Sequence, residues 1–449
     1  MRKKVFPLTI ILLLTGCSEP IIKEETQTII WLTEGITPPE NELVINEISK
    51  YTIEKLGYPV EINYFAPNEY SEVVTKMIED GKRYDIAFAS PIKDAISLAN
   101  QGYFADLSPY LSYSSLLKET IPSNLWKGVM MNNTIIGVPT IKNAGSTEQW
   151  VWSYKEELAE KFSFDNLKSL EDVDHLLYEL KTEYPDQYIL DFTYEGMYSM
   201  LVESANLERV TINSGINYAD KTAKVENIWQ NENIKSNLEL INKWYNDKII
   251  NPNVFANNNS LVVLSQSILD DSSYLNKIYS NSVHSTNSVQ SSYNVVSTSS
   301  PHIQKCVEFL ELVNTDIYLR NLLAYGIEGI HYQKLDEDTI IKLNNYYEPQ
   351  ILAQGNISDL YFVVNQPTYI IKEETPTISP IIGFRFDNEL VKNEILACQT
   401  IEKELAPLLL SGKQNPHDLL PQLSEMLYSE GYLNIKNALQ SQIDEFLNT

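Results

Sequence analysis

YDIAFAS, residues 84–90, is apolar at every position from Ile86 to Ala89, the pattern of a strand covered on both faces. Just before it, NEYSEVVTKMIEDG (68–81) predicts a helix with Asn68 as its N-cap and Gly81 as its stop. Upstream, PVEINYF (59–65) alternates, so Val60, Ile62 and Tyr64 share one face. In PPENELVINEISKYTIEKLG (38–57), Val44, Ile45, Ile48, Thr52 and Leu56 keep helical spacing, with prolines ahead of the first turn and Gly57 as the stop. TIIWLTEG (28–35) reads as a strand that runs into a loop. The order strand–helix–strand–helix–strand implies parallel pairing through right-handed crossovers.

The α/β pattern continues downstream. KDAISLANQG (93–102) and FADLSPYL (104–111) follow, and TIIGVPT (134–140) closes a first block. A second block opens at STEQWVWSYKEELAEKF (146–162), with helices expected near 170–184 and 232–247 and a strand in DQYILDFT (186–193). Segment 256–300 is rich in Ser and Asn and is the least regular, with room for one or two short strands or a loop. Helical period returns in HIQKCVEFLELVNTDIYLRNLLAYG (302–326), and three more helices are expected near 388–405, 416–430 and 434–447. No internal repeat is visible.

Composition narrows the function classes. The chain has 449 residues, enough for two or three domains, and 43% are apolar, enough for a large core. The formal charge is −26, and −29 once residues 1–16 are removed with their three basic residues. That field repels nucleic acid, and no Lys/Arg run marks a polybasic membrane site. Cys306 and Cys398 each sit in a helical pattern and read as buried reduced thiols, with no spacing that argues for a bridge. The five histidines, His175, His284, His302, His331 and His417, make no metal-ligand spacing with one another or with a cysteine. No HExxH, GxSxG, P-loop or GxGxxG motif is present, so no cofactor and no catalytic residue is expected. A glycan-degrading enzyme would need two carboxylates at a set separation, and nothing marks such a pair.

The N-terminus carries an address. Arg2, Lys3 and Lys4 precede the apolar run Val5–Leu14, which is too short to span a bilayer. Leu14-Thr15-Gly16-Cys17 then resembles the lipobox of bacterial lipoproteins. The resemblance implies a signal peptide over 1–16, a lipidated Cys17 carrying acyl chains such as palmitate, and a polar tether over 17–26. Two acyl chains suffice for stable anchoring. The expected location is the extracytoplasmic face of the cell membrane.

Most of residues 28–448 resemble the lipid-anchored extracellular solute-binding proteins, family 1 type, of bacterial ABC importers for sugars and oligosaccharides. YDIAFAS looks like that family's third strand and IIGVPT like its first crossover. FLELVNTDIYLRNLLAYGIEGIHY (309–332) is the most specific match, and GFRFDNELVKNEILACQTIEKELAPLLLSG (383–412) looks like the C-terminal region of one subgroup. The resemblance implies a two-lobed periplasmic-binding-protein-like (type II) α/β fold, with the ligand in a cleft between lobes and a helical C-terminal region. The expected division is 27–139 with 262–318 in lobe 1, and 140–261 with 319–449 in lobe 2. The implied partners are a small solute, an oligosaccharide before a peptide or other polar solute, and ABC permease subunits; the protein itself is expected as a monomer. A ligand-sensing lipoprotein that signals to a membrane receptor would share the fold and the anchor.

Ligands of open α/β sheets bind beyond the carboxyl ends of strands. Those ends place Glu34, Tyr64, Ser90 and Thr140 as candidates in the first block. Trp150 and Trp152 alternate just after the crossover, and Tyr194, Glu195 and Tyr198 follow the strand YILDFT. Aromatic rings suit sugar C–H faces, and a few polar groups suit the hydroxyls. The same aromatics would serve equally as core packing. Glu34 would serve equally as a cap or a solvated carboxylate. In YGIEGIHY (325–332), Gly326 and Gly329 suggest a tight turn that leaves Tyr325, Glu328, His331 and Tyr332 on an ordered loop, either at the ligand or as a structural joint. His331 alone reads as a hydrogen-bonded or surface histidine.

Replacing Cys17 by Ser is expected to release the protein from the membrane. Cell fractionation checks this, and a mutant that stays wholly membrane-bound would refute the lipoprotein reading.

Overall fold

The computed structural model describes residues 28–448, apart from 142–148, 166, 168, 256–259, 268, 270, 281–282, 352–353 and 365–375. The expected signal peptide and tether, with Cys17, lie outside the described residues. Among the described residues, no helix is long and apolar enough to cross a membrane.

The first sheet begins with β1 (Ile29–Glu34), followed by α1 (Asn41–Leu56), β2 (Val60–Phe65), α2 (Pro67–Glu79) and β3 (Ile86–Phe88). β1 pairs in parallel with β2 on one side and β3 on the other. Val44, Ile48 and Thr52 of α1, and Tyr70, Val74 and Ile78 of α2, are the buried faces, each at four-residue spacing. Pro67 takes the first helical position of α2, with Ala66 as the N-cap, and Asn68 lies inside the helix. Proline is favoured there because its missing N–H would have had no intrahelical partner.

The sheet is completed from far away in sequence. Strand Tyr293–Val296 pairs antiparallel with β3 and also with Val138–Pro139, giving five strands. Helices Ile303–Thr315 and Ile317–Tyr325 then pack into the same core through Phe309, Leu310, Leu319, Leu322 and Leu323. Asp85 pins this return. Its buried carboxylate accepts the backbone N–H of Ile30 at 2.9 Å and the hydroxyl of Ser300 at 2.5 Å.

The second sheet has the order 274–280, 149–155, 262–265, 190–192. Gln149–Lys155 lies antiparallel to both of its neighbours, while Val262–Ser265 and Leu190–Phe192 are parallel. Helices Leu170–Glu183, Tyr194–Ser204 and Glu232–Asn246 bury their apolar faces in the second core, together with the C-terminal helices Lys392–Leu410, Pro416–Ser429 and Tyr432–Leu447. A small sheet, Leu207–Thr211, Ser214–Asn217 and Val225–Asn227, rests on the last helix through Ile216, Val225, Leu439 and Ile443.

Two expected boundaries move. Val262–Ser280 belongs to the second sheet, not the first, because Val262 and Leu264 enter the second core. Residues 319–325 belong to the first core, because helix Ile317–Tyr325 buries Leu319, Leu322 and Leu323 there. The Ser- and Asn-rich segment is also more ordered than its composition suggests. It holds strands Val262–Ser265, Tyr274–Ser280, Val283–His284 and Tyr293–Val296, and helix Thr286–Gln290, whose N-terminus is closed by a capping box of Ser285 and Ser288. Cys306 lies in the first core and Cys398 in the second; both are buried and free.

Asp85→Ala is expected to destabilise the protein by about 2–4 kcal/mol, because a buried amide and a buried hydroxyl lose a charged acceptor together. Urea unfolding of the variant against the parent chain checks this; a loss below about 0.5 kcal/mol would contradict the role given to Asp85.

Candidate functional site

The carboxyl ends of β1 and β2 are roofed by Tyr347, Pro349, Ile351 and Gln354. The Gln354 side-chain amide donates to the Glu34 carbonyl at 2.9 Å. Tyr64 is half-buried, its hydroxyl 3.5 Å from that of buried Tyr347, and burial pushes its phenol up to about 12. Gly35 permits the close approach: a Cβ there would stand 2.2 Å from the Pro349 carbonyl oxygen. The Glu34 carboxyl stays partly exposed and is raised above the ordinary range by desolvation. Ser90 donates to the Ser291 carbonyl at 2.7 Å, and Thr140 accepts the Ser292 hydroxyl at 2.7 Å. These two strand ends are thus tied to one segment, 290–292.

In the second lobe, Trp150 and Trp152 do share a face, but that face is the core. Trp150 stacks on Tyr279 at 6.2 Å between ring centroids, and the Trp152 indole donates to the Leu167 carbonyl at 3.1 Å. They are buried because that face of the sheet packs into the second core with the helices that supply Leu170, Val173, Met197 and Leu201. Tyr194 and Glu195 lie in the first turn of helix Tyr194–Ser204, with Glu195 exposed and Tyr194 half-buried against Tyr198. Tyr198 is buried; its hydroxyl donates to the Ile212 carbonyl at 2.8 Å, and the Arg209 guanidinium lies over its ring at 5.1 Å.

The 325–332 loop is a joint. Gly326 adopts a φ of 80°, and a Cβ there would stand 2.7 Å from the His331 ring. His331 is buried, accepts the Ile327 N–H at Nδ1 (2.9 Å) and lies 3.0 Å from the Glu40 carboxylate at Nε2. With Nδ1 accepting, Nε2 carries the proton that points to Glu40. Tyr325 donates to the Tyr361 carbonyl at 3.0 Å, inside a small core with Tyr332, while Glu328 is exposed on the turn.

A cavity of about 610 Å³ opens between the two bodies, within the range of small-ligand sites. One wall carries Ile96, Thr286, Asn287 and Gln290; the other carries Glu208, Arg209 and Ile212, with Ile395 and Gln399 of the first C-terminal helix. The stretch Ile381, Phe384, Arg385, Phe386 and Asn388 joins them. This stretch crosses from one lobe to the other. The Ser379 backbone N–H donates to the His284 carbonyl at 2.9 Å, the Gly383 N–H donates to the Thr286 hydroxyl at 2.8 Å, and Arg385 donates to the carbonyls of Met130 and Gly128 at 2.5 and 3.5 Å. Of the expected site residues, Ser90 and Tyr198 are bonded to Ser291 and Ile212, which adjoin or line this cavity, whereas Trp152 and Tyr325 spend their polar hydrogens inside their own bodies.

Two carboxyls lie behind the second wall. Glu208 is buried, accepts the Ser379 hydroxyl, and is pushed up to about 7 by desolvation. Glu402 is buried deeper, and desolvation raises it to about 8 although Arg209 acts against that shift. The Trp229 indole and the Tyr198 hydroxyl lie beside the Glu402 carboxyl and, like Arg209, act against that shift. Sequence reading missed Arg209, Glu208, Glu402 and Arg385. The alternation Phe384-Arg385-Phe386 was a usable signal; Glu402 gave none, being one acid in an amphipathic helix. Among the described residues, no group of three or more His, Cys, Asp or Glu side chains could hold a metal ion.

Two α/β bodies, each completed by a distant segment and facing one another across a cavity, define the fold of the two-lobed solute-binding proteins. A carbohydrate ABC transporter substrate-binding protein of Streptococcus pneumoniae serotype 4 (strain ATCC BAA-334 / TIGR4) is 26% identical over 472 residues, spanning 97% of this chain and 94% of its own. The crystal structure of the N-glycan transport solute binding protein NgtS from Streptococcus pneumoniae superposes with a TM-score of 0.79 at 23% identity, covering 94% of this chain and 99% of that one. The same protein in complex with Man5GlcNAc superposes at 0.63 and 24% identity, covering 94% and 98%. Residues 380–448 match the family described as a domain of unknown function, DUF3502.

The raised carboxyls give stability a pH dependence. A glutamate with a folded value near 7 or 8 keeps its proton when the unfolded chain, near 4.5, has lost it. Folding therefore holds extra protons, and stability falls as pH rises through that window. The melting temperature is expected to drop between about pH 5 and pH 9, with a shallower drop in Glu402→Gln. Thermal melts across that range check it, and equal slopes in parent and variant would contradict the burial argument.

Proposed function

We propose that this protein captures an oligosaccharide at the extracytoplasmic face of the membrane by closing its two lobes, and delivers it unaltered to an ABC permease. The observation that carries the reading is the cavity walled by both bodies, with Phe384 and Phe386 as apolar faces and Asn287, Gln290, Asn388 and Gln399 as hydroxyl partners. Few placed polar groups among aromatics are what a sugar ring requires. The relatives support the choice of solute, since one is named for carbohydrate transport and another for N-glycan transport. A lipid on Cys17 would keep the protein beside its permease.

Binding in the micromolar range corresponds to about −8 kcal/mol, within reach of one or two stacked rings and several hydrogen bonds. A ligand that binds only the folded state raises the melting temperature by mass action. A thermal-shift panel of mannose-, N-acetylglucosamine- and glucose-based oligosaccharides is expected to yield at least one that stabilises the protein. Phe386→Ala should weaken that ligand about tenfold in calorimetry, beyond the modest fall in unliganded melting temperature expected because Phe386 also packs against the neighbouring cores. A panel without any stabilising oligosaccharide, or turnover of a bound one by purified protein, would overturn the reading. Trp150→Ala does not discriminate, since that ring sits in the core.

A further inference from the structure

We propose that the ligand cleft runs on past the cavity onto an aromatic platform of the second lobe, Phe255 with Tyr194, where a further ring of a longer oligosaccharide stacks. The inference rests on the reading of the cleft as an oligosaccharide site and goes on to name a subsite and the ligand length it selects.

Strand register places the platform. In the second sheet Gln149 pairs with Ser280, Val151 with Ser265, and Leu264 with Phe192. One end of the sheet therefore collects the start of 149–155, the close of 274–280 and the carboxyl ends of 190–192 and 262–265. Gln149 follows closely in sequence on Ile141 of the first core, and Ser280 leads to Val283–His284, which pairs with the crossing stretch at Thr377–Ile378. This end of the sheet thus faces the first lobe. Phe255 and Tyr194 both sit on it. The Phe255 N–H donates to the Phe192 carbonyl at 3.2 Å, and Tyr194 opens the helix that follows Phe192.

The rings form a row that starts at the cavity. Buried Tyr198 donates to the carbonyl of Ile212, which lines the cavity. Tyr194 stacks on Tyr198 at 5.9 Å between centroids, and Phe255 stands edge-on to Tyr194 at 6.1 Å and to Phe192 at 5.5 Å. Phe255 is 37% exposed, and among the described residues no other phenylalanine is exposed. Rings with an open side suit the C–H face of a sugar. Glu195, exposed in the same first turn as Tyr194, offers a carboxylate for the hydroxyls.

The backbone at Phe255 is strained. Its φ is 78°, a left-handed conformation that bulky side chains rarely adopt. Packing alone does not account for a phenylalanine there. The ring is partly open to water, and glycine or asparagine would make the same turn at lower cost. Strain of this kind persists where a site uses the side chain it holds.

Calorimetry and thermal melts on the intact protein test the platform with linear mannose-, N-acetylglucosamine- and glucose-based oligosaccharides, each from disaccharide to hexasaccharide. In the series that binds, affinity is expected to rise with length. Phe255→Ala should weaken the hexasaccharide about tenfold and leave the disaccharide within about twofold. Phe255→Gly should lose the same affinity yet melt above Phe255→Ala, because glycine accepts that φ and alanine does not. Phe255→Trp keeps a stacking face and should bind the hexasaccharide within about threefold of the parent chain. If affinity tracks melting temperature, so that Phe255→Gly binds better than Phe255→Ala, Phe255 is a packing residue and the proposal is overturned. An equal loss for disaccharide and hexasaccharide, or an affinity independent of length, also overturns it. In each of those cases the oligosaccharide reading stands. If no series binds at any length, that reading fails as well.

Discussion

Strand Tyr293–Val296 has to return to the first sheet, between β3 and Val138–Pro139, before the first lobe can exist as a body. Until then β3 has an open edge, and the first core lacks Val295, Val296 and the helices that follow. The return is fixed by polar groups as well as apolar ones. The Trp31 indole donates to the Asn294 side chain at 3.0 Å, and the Asn294 amide donates to the Gln354 carbonyl at 3.2 Å. Those three groups are buried, so each would cost on the order of 1–3 kcal/mol if left without a partner. The register of one short strand is therefore specified from both sides.

That constraint has a consequence for the rest of the chain. Residues 149–280 form the second sheet while the first waits for its last strand, so the chain must cross between the bodies more than once. The crossing stretch 379–386 is where the lobes touch through defined bonds: Ser379 with Glu208 on one side and with His284 on the other, Gly383 with Thr286, and Arg385 with Met130 and Gly128. These are few and mostly single hydrogen bonds. Each core is complete without the other, so the relative position of the lobes is the soft coordinate of the molecule. The same stretch contributes Phe384, Arg385 and Phe386 to the cavity, so a ligand there touches the segment that sets the lobe angle.

Much of the fold was legible because its signals are local. Four-residue spacing at Val44, Ile48 and Thr52 and the apolar run Ile86–Ala89 each report a buried surface that the neighbouring residues must match. The N-cap at Asn68 failed because Pro67 occupies the first helical position, a rule that competes within one residue. The segment after 256 misled because Ser and Asn there act as caps and inner hydrogen-bond partners; Ser285, Ser288 and Asn294 are buried and bonded. The site was less legible for a different reason. Trp150 and Trp152 point to a face by their alternation, but which face meets the core depends on strand order, and no local spacing encodes that order. Arg209 and Arg385 lie 176 positions apart and meet one cavity only after both lobes are assembled.

Closure of one lobe on the other around a sugar is the central claim, and small-angle scattering on free and ligand-saturated protein measures it directly. The account predicts a smaller radius of gyration with the stabilising oligosaccharide and no change with a sugar that does not bind. Dimensions that stay the same at saturation with every ligand that binds would contradict it.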